Sequence, residues 1–164
     1  MKTLYLVRHA KSSWENALQS DFDRPLNERG LKSAPLMAEL LKEKNVTPDI
    51  IVSSPANRAT TTAGIFAGIL GYPEEKIVQN MEIYTGGSSA LLQIVRSLPD
   101  DCTSAALFGH NPVMTDFSNF LTGKHLDNMV TCGVVRIDMD NCSWKDAGER
   151  SGTLAWYEYP KKRE

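Results

Sequence analysis

The sequence predicts an α/β protein: a three-layer sandwich with a mostly parallel central sheet and helices on both faces. Three observations predict it. Short apolar runs at 3–7, 49–53 and 104–108 alternate with longer stretches whose apolar residues recur every three or four positions. Runs this short and this apolar suit strands buried on both faces, as in a parallel sheet. The chain has 164 residues, 41% hydrophobic and 23% charged, with no repeat, linker or low-complexity segment. One domain over 1–164 with a proper core is therefore expected.

The elements follow in order. Residues 3–7 form the first strand and run straight into Arg8-His9-Ala10. A polar loop closes on a helix start, with Asn27 as N-cap and Glu28 in the first turn, where a carboxylate suits the helix dipole. Leu31, Ala34, Met37, Ala38 and Leu41 carry that helix to about Lys44, and Pro35 is expected to bend or break it. Residues 49–53 are a second strand, and Ser54-Pro55 turns into a helix with Ala63, Phe66, Ala67 and Leu70 on one face. A third strand is expected at 76–80, a loop at 81–87, and a helix capped by Ser88. The strand at 104–108 ends in Gly109-His110-Asn111-Pro112, with Pro112 in the first turn of a helix to about Leu121. Residues 134–139 and 154–159 have only a polar loop between them, so they should pair antiparallel. A solvated tail ends the chain.

Composition excludes several function classes. A net charge of −2 gives no basic footprint for nucleic acid. Cys102, Cys132 and Cys142 are an odd set without close pairing, read as free thiols in a reducing compartment. No CxxC occurs, His9, His110 and His125 lie far apart, and no metal or other cofactor is expected. No apolar run approaches the ~18 residues of a membrane span, and no leader is read at the start. A cytoplasmic protein without membrane contact is the expectation. No GxxxxGK[ST] or GxGxxG loop is present. No cysteine has an arginine six positions on, which excludes a cysteine-based phosphatase loop. Asp138-Met139-Asp140 imitates another phosphatase nucleophile but has too little chain behind it. His125 reads as a surface residue, and Trp14, Trp144 and Trp156 as packing or loop anchors.

Three junctions carry the chemistry. The first strand ends in Arg8-His9, the second in Ser53-Ser54-Pro55 with Arg58 starting the next helix, and the fourth in Gly109-His110. In a parallel sheet these ends share one rim, where open α/β proteins place their sites. Two arginines and two histidines should therefore converge, with no acidic residue inside those motifs to neutralise them. Such a cluster binds anions. Two guanidinium groups and one imidazole can hold the equatorial oxygens of a phosphoryl group while the other imidazole approaches phosphorus in line.

Together with Leu6-Val7-Arg8-His9-Ala10, Asp23-Arg24-Pro25-Leu26-Asn27-Glu28-Arg29-Gly30, Thr61 and Asn111, these motifs resemble the histidine phosphatase superfamily. The likeness is greatest to its small SixA-type phosphohistidine phosphatases, and it runs from residue 3 to about 140. The resemblance implies a phosphoglycerate mutase-like fold, and the 51 residues between Arg58 and His110 leave little for a large cap insertion. The resemblance also implies His9 as nucleophile through a phosphohistidine intermediate, with Arg8, Arg58 and His110 binding the phosphoryl oxygens. His9 must then be neutral, one nitrogen free and the other held by a backbone carbonyl. The family often has glycine after the nucleophile, and here Ala10 stands there.

Asn111 either touches the ligand or caps the next helix, and Lys11 and Ser12 are candidates for the pocket entrance. Larger relatives use a carboxylate to protonate the leaving group, and Glu82 is the nearest candidate by position. A leaving imidazole, with a pKa near ~6.5, has little need of such an acid. The expected substrate is a phosphorylated protein, such as a phosphorelay component. A small phosphomonoesterase or mutase with the same core, or a non-catalytic phosphoprotein-binding module, are the alternatives.

Overall fold

The computed structural model describes residues 1–140 and 143–162, so the expectations for Cys142, Arg163 and Glu164 lie outside the described residues. Six strands form one sheet in the order β3-β2-β4-β1-β5-β6. They are β1 (Lys2–Arg8), β2 (Ile50–Ser53), β3 (Val78–Gln79), β4 (Ser104–Gly109), β5 (Val134–Met139) and β6 (Gly152–Glu158). The first four lie parallel, and β5 pairs antiparallel with both β1 and β6. The third strand is shorter than its sequence suggests because only Val78 and Gln79 pair with β2.

The helices are α1 (Glu28–Glu43), α2 (Asn57–Leu70), α3 (Met81–Thr85), α4 (Ser88–Arg96) and α5 (Val113–Thr122). Alternation along the strands sorts the core into two layers. Tyr5 and Val7 of β1 face α1 and α2, packing with Met37, Leu41, Phe66 and Phe108. Leu4 and Leu6 face the other way, against Leu91, Val95, Met114 and Phe117 of α4 and α5, with Trp144 fully buried beside them.

Local signals are met in part. Asn27 caps α1, its side chain accepting from the Gly30 N–H at 2.9 Å. Pro35 does not break α1, which runs uninterrupted from Glu28 to Glu43. Burial of Ala34, Met37, Ala38 and Leu41 along one face holds it together. Residues 81–85 are helical where a loop is expected, since one helical turn is too short to show a period. The cap of α4 is Gly87, without a side-chain bond, in place of Ser88.

One glycine is sterically required. A Cβ on Gly30 would run into the Lys11 carbonyl oxygen. That oxygen accepts the Asn27 N–H at 3.0 Å. The loop after β1 is thereby laid against the start of α1. No helix among the described residues is long and apolar enough to cross a membrane.

Candidate active site

The ladder itself assembles the centre of the site. Arg8 of β1 lies opposite Gly109 of β4, so His9 and His110 leave neighbouring strands side by side. The His9 N–H donates to the Gly109 carbonyl at 3.0 Å, and the Ser54 N–H to the Phe108 carbonyl at 2.9 Å. The two imidazole rings lie 5.2 Å apart, centre to centre. Arg58 enters from the first turn of α2. Arg8, His9, Arg58 and His110 together line a pocket of about 210 Å³.

His9 is buried, and its tautomer follows from its contacts. Nδ1 donates to the Ala10 carbonyl at 2.7 Å. Nε2 then carries the lone pair and accepts from Arg58 Nε at 3.3 Å. Burial pushes its pKa down to about 3, assisted by the nearby His110, Arg58 and Arg8 and opposed by the Ala10 hydrogen bond. His110 is pushed down to about 4, by burial first and then by the Arg58 charge. Its Nε2 meets the Ser54 hydroxyl at 2.8 Å. Both rings are thus neutral near pH 7. Among the described residues, Arg8 Nε and His110 Nδ1 are buried without a hydrogen-bond partner. Such groups are costly unless something polar meets them.

Thr62 ties the backbone after His9 to α2. Its hydroxyl accepts from the Ala10 N–H at 3.0 Å and donates to the Arg58 carbonyl at 2.7 Å. The Thr61 hydroxyl, by contrast, donates to the Asn57 side-chain oxygen at 3.1 Å.

The rim departs from the sequence reading. Asp21, just before the Asp23-Arg24-Pro25-Leu26 run, supplies the acidic residue that the motifs themselves lack. Its Oδ2 lies 3.1 Å from Arg58 Nη2 and its Oδ1 3.0 Å from Arg24 Nη2. Its backbone carbonyl accepts Arg58 Nη1 at 2.7 Å, and Tyr84 donates its hydroxyl to Oδ2 at 2.8 Å. Burial raises its pKa, but the Tyr84 and Arg24 hydrogen bonds and the Arg58 charge outweigh that and hold it at about 2. Two guanidinium groups this close need a shared anion, and Asp21 provides it. Among the described residues, three of the five Arg58 N–H groups are engaged and two are left for a ligand.

Arg24 is a third arginine lining the pocket, buried like Arg58 and fixed by Asp21 and by the Ser12 hydroxyl at 2.6 Å. The indole of Trp14 lies over it, 3.5 Å from guanidinium to ring centre. Ser12 therefore holds Arg24. Lys11 lines the entrance, exposed. Asn111 also lines it, but its side chain is engaged inward. Its amide donates to Asn128 and to the Met129 carbonyl at 2.8 Å, and its oxygen accepts the Thr115 N–H at 3.3 Å. Asn111 thus binds the first turn of α5 from the residue before its N-cap, Pro112.

Glu82 is not among the residues brought together at this pocket. It is exposed on α3 and lines a separate depression with Val52, Val78 and Asn80. The α3 turn presents Tyr84 to the site instead, edge-on to His110 at 5.6 Å. His125 is exposed beside Asp127, and Cys102 and Cys132 are buried free thiols. No group of three or more metal-ligating side chains occurs among the described residues.

A pocket of this size and charge attracts a tetrahedral dianion and presents a neutral imidazole lone pair to it. The chain matches the histidine phosphatase superfamily (branch 1) over residues 4–102, and it belongs to that superfamily. Its fold is that of the small SixA-type members. A solved chain from Agrobacterium tumefaciens, provisionally named phosphohistidine phosphatase SixA, is 28% identical with a TM-score of 0.82. That match covers 97% of this chain and 98% of the other. An uncharacterized chloroplastic protein of Arabidopsis thaliana is 28% identical over 163 residues, covering 94% of this chain and 74% of the other. A 2,3-bisphosphoglycerate-dependent phosphoglycerate mutase of Bifidobacterium longum is 47% identical over 64 residues. That segment is 38% of this chain and 26% of the mutase.

Proposed function

We propose that the chain hydrolyses phosphohistidine on a partner protein through a covalent intermediate on His9. The observation that carries this reading is the held tautomer of His9. Nδ1 is fixed on the Ala10 carbonyl and Nε2 faces a cup of guanidinium groups. In the first step His9 Nε2 bonds to phosphorus as the P–N bond of the substrate breaks, and the substrate ring, its other nitrogen already protonated from solvent, takes the electron pair and leaves as a neutral imidazole. Arg8, Arg58 and His110 hold the equatorial oxygens, keep attacking and leaving nitrogens in line and stabilise the charge spread over those oxygens in the transition state. The Arg58–His9 hydrogen bond gives way as the phosphoryl group enters between them. Water then attacks phosphorus, the His9–P bond breaks, and the water's proton leaves with the released phosphate.

The leaving group is chosen by what surrounds the cup. Asp21 titrates at about 2 and has no proton to give near pH 7. Glu82 lines another depression. An alkoxide needs a proton to leave, whereas an imidazole departs at far lower cost. The like-sized relative from Agrobacterium bears a name consistent with this substrate. The reading assigns no metal to the reaction.

The test is a substrate panel with chelator present: a phosphohistidine protein, an aryl phosphate and phosphoglycerate. Rapid loss of phosphate from the first, with the third intact, is expected. Turnover of phosphoglycerate at a higher kcat/KM than the phosphohistidine protein would overturn the assignment in favour of a small-molecule enzyme. Binding without turnover of any member would make the chain a recognition module.

A further inference from the structure

Beside the catalytic pocket lies a second groove of about 240 Å³, lined in part by Lys11, Arg29, Lys161, Thr131 and Tyr159. Lys11 and Thr131 line both, so the two are continuous. All three cations are exposed. Among the described residues none of them is paired with a carboxylate. They gather from three distant places in a chain whose net charge is −2: the loop after β1, the first turn of α1, and the turn after β6.

Arg29 is placed against its local interest. It is the second residue of α1, where the helix dipole disfavours a cation. Like charges close together repel in the free protein, and an anionic occupant removes that cost. The groove also offers a tyrosine ring and the partly exposed Val130, so it suits a peptide with both acidic and apolar contacts.

We infer that this groove docks an acidic segment next to the phosphorylated histidine of the partner protein. The inference rests on the phosphohistidine reading and adds the chemistry of the residues around it. Lys11 sits where the two sites meet and marks the turn from phosphoryl group to peptide.

The test uses two synthetic peptides with a central histidine, one flanked by Asp and Glu, the other by Asn and Gln. Binding of the labelled, unphosphorylated peptides is measured for wild type and for the double variant Arg29→Gln, Lys161→Gln. Wild type should bind the acidic peptide about tenfold tighter, and the double variant should retain about a twofold preference. High salt should erase the wild-type advantage. With the peptides phosphorylated, the variant should raise KM for the acidic one and leave kcat unchanged.

Equal binding of both peptides by wild type, or an undiminished preference in the double variant, overturns the groove. So does a variant that loses affinity for pyrophosphate alone, since the cations would then serve a second anionic group on a small substrate. Preferential binding without hydrolysis of the phosphorylated peptides supports the groove and overturns the phosphohistidine reading.

Discussion

The floor and the rim of the pocket are held in place by different forces. His9 and His110 on the floor each follow the last residue of a strand, and the pairing of Arg8 with Gly109 aligns them. Their positions come from the main chain, and a side-chain change elsewhere moves them little. Asp21, Arg24 and Trp14 on the rim come from the stretch between β1 and α1, and Tyr84 from α3. Here the main chain is tied only locally, by the isolated Ser12–Leu26 bridge and its neighbouring bonds, among the described residues. The side chains are located by each other, through a carboxylate shared by two guanidinium groups, a hydroxyl and a stacked indole. The floor is therefore set by main-chain pairing and the rim by side-chain contacts.

Substitutions should separate the two. His9→Ala should lower turnover by at least about a thousandfold while tungstate or vanadate still binds. Residual turnover within tenfold of wild type would remove the floor's claim to the chemistry. Arg58→Ala should cost on the order of a hundredfold in kcat and weaken oxyanion binding as well, because it both contacts His9 and anchors the rim. Thr62→Val leaves the buried Ala10 N–H without its acceptor, an effect of about 1–3 kcal/mol. It should lower kcat about tenfold with KM nearly unchanged, a result that a purely structural threonine would not give. Trp14→Ala removes a stack on an already paired arginine, and should raise KM about two- to fivefold with kcat unchanged.

The floor should also dominate the acid response. Both imidazoles are held below their ordinary value, His9 at about 3 and His110 at about 4. Below pH 6.5 the unfolded chain therefore binds protons that the folded chain does not. Stability falls with pH through that window, until the folded rings themselves protonate near 4 and 3. Melting temperatures of wild type and His110→Asn between pH 4 and 7 should show a shallower slope for the variant. Parallel slopes would mean the ring is not held neutral.

Sequence patterns report the floor better than the rim for the same reason. A strand end, a helix start and the residue after each are local features, so Arg8, His9, Arg58 and His110 are legible once the sheet is expected to be parallel. Asp21 and Tyr84 meet across 63 positions through side chains alone, and no periodicity records that contact. Arg24 stood inside a quoted motif, and its signal was the buried Leu26 two residues on, which pins the loop through the Ser12–Leu26 bridge. The pattern of 81–87 suggests a loop, and the helical turn at Met81–Thr85 is too short to show in it. The single turn of α3 sends position 82 outward and position 84 toward the site.

The most direct test of the whole account is rapid-quench trapping with a protein carrying radiolabelled phosphohistidine. The account predicts transient label on His9, stable in base and lost in acid, at a rate matching turnover, and none in His9→Ala. Full turnover with no label on the chain, or label on any other residue, would contradict it.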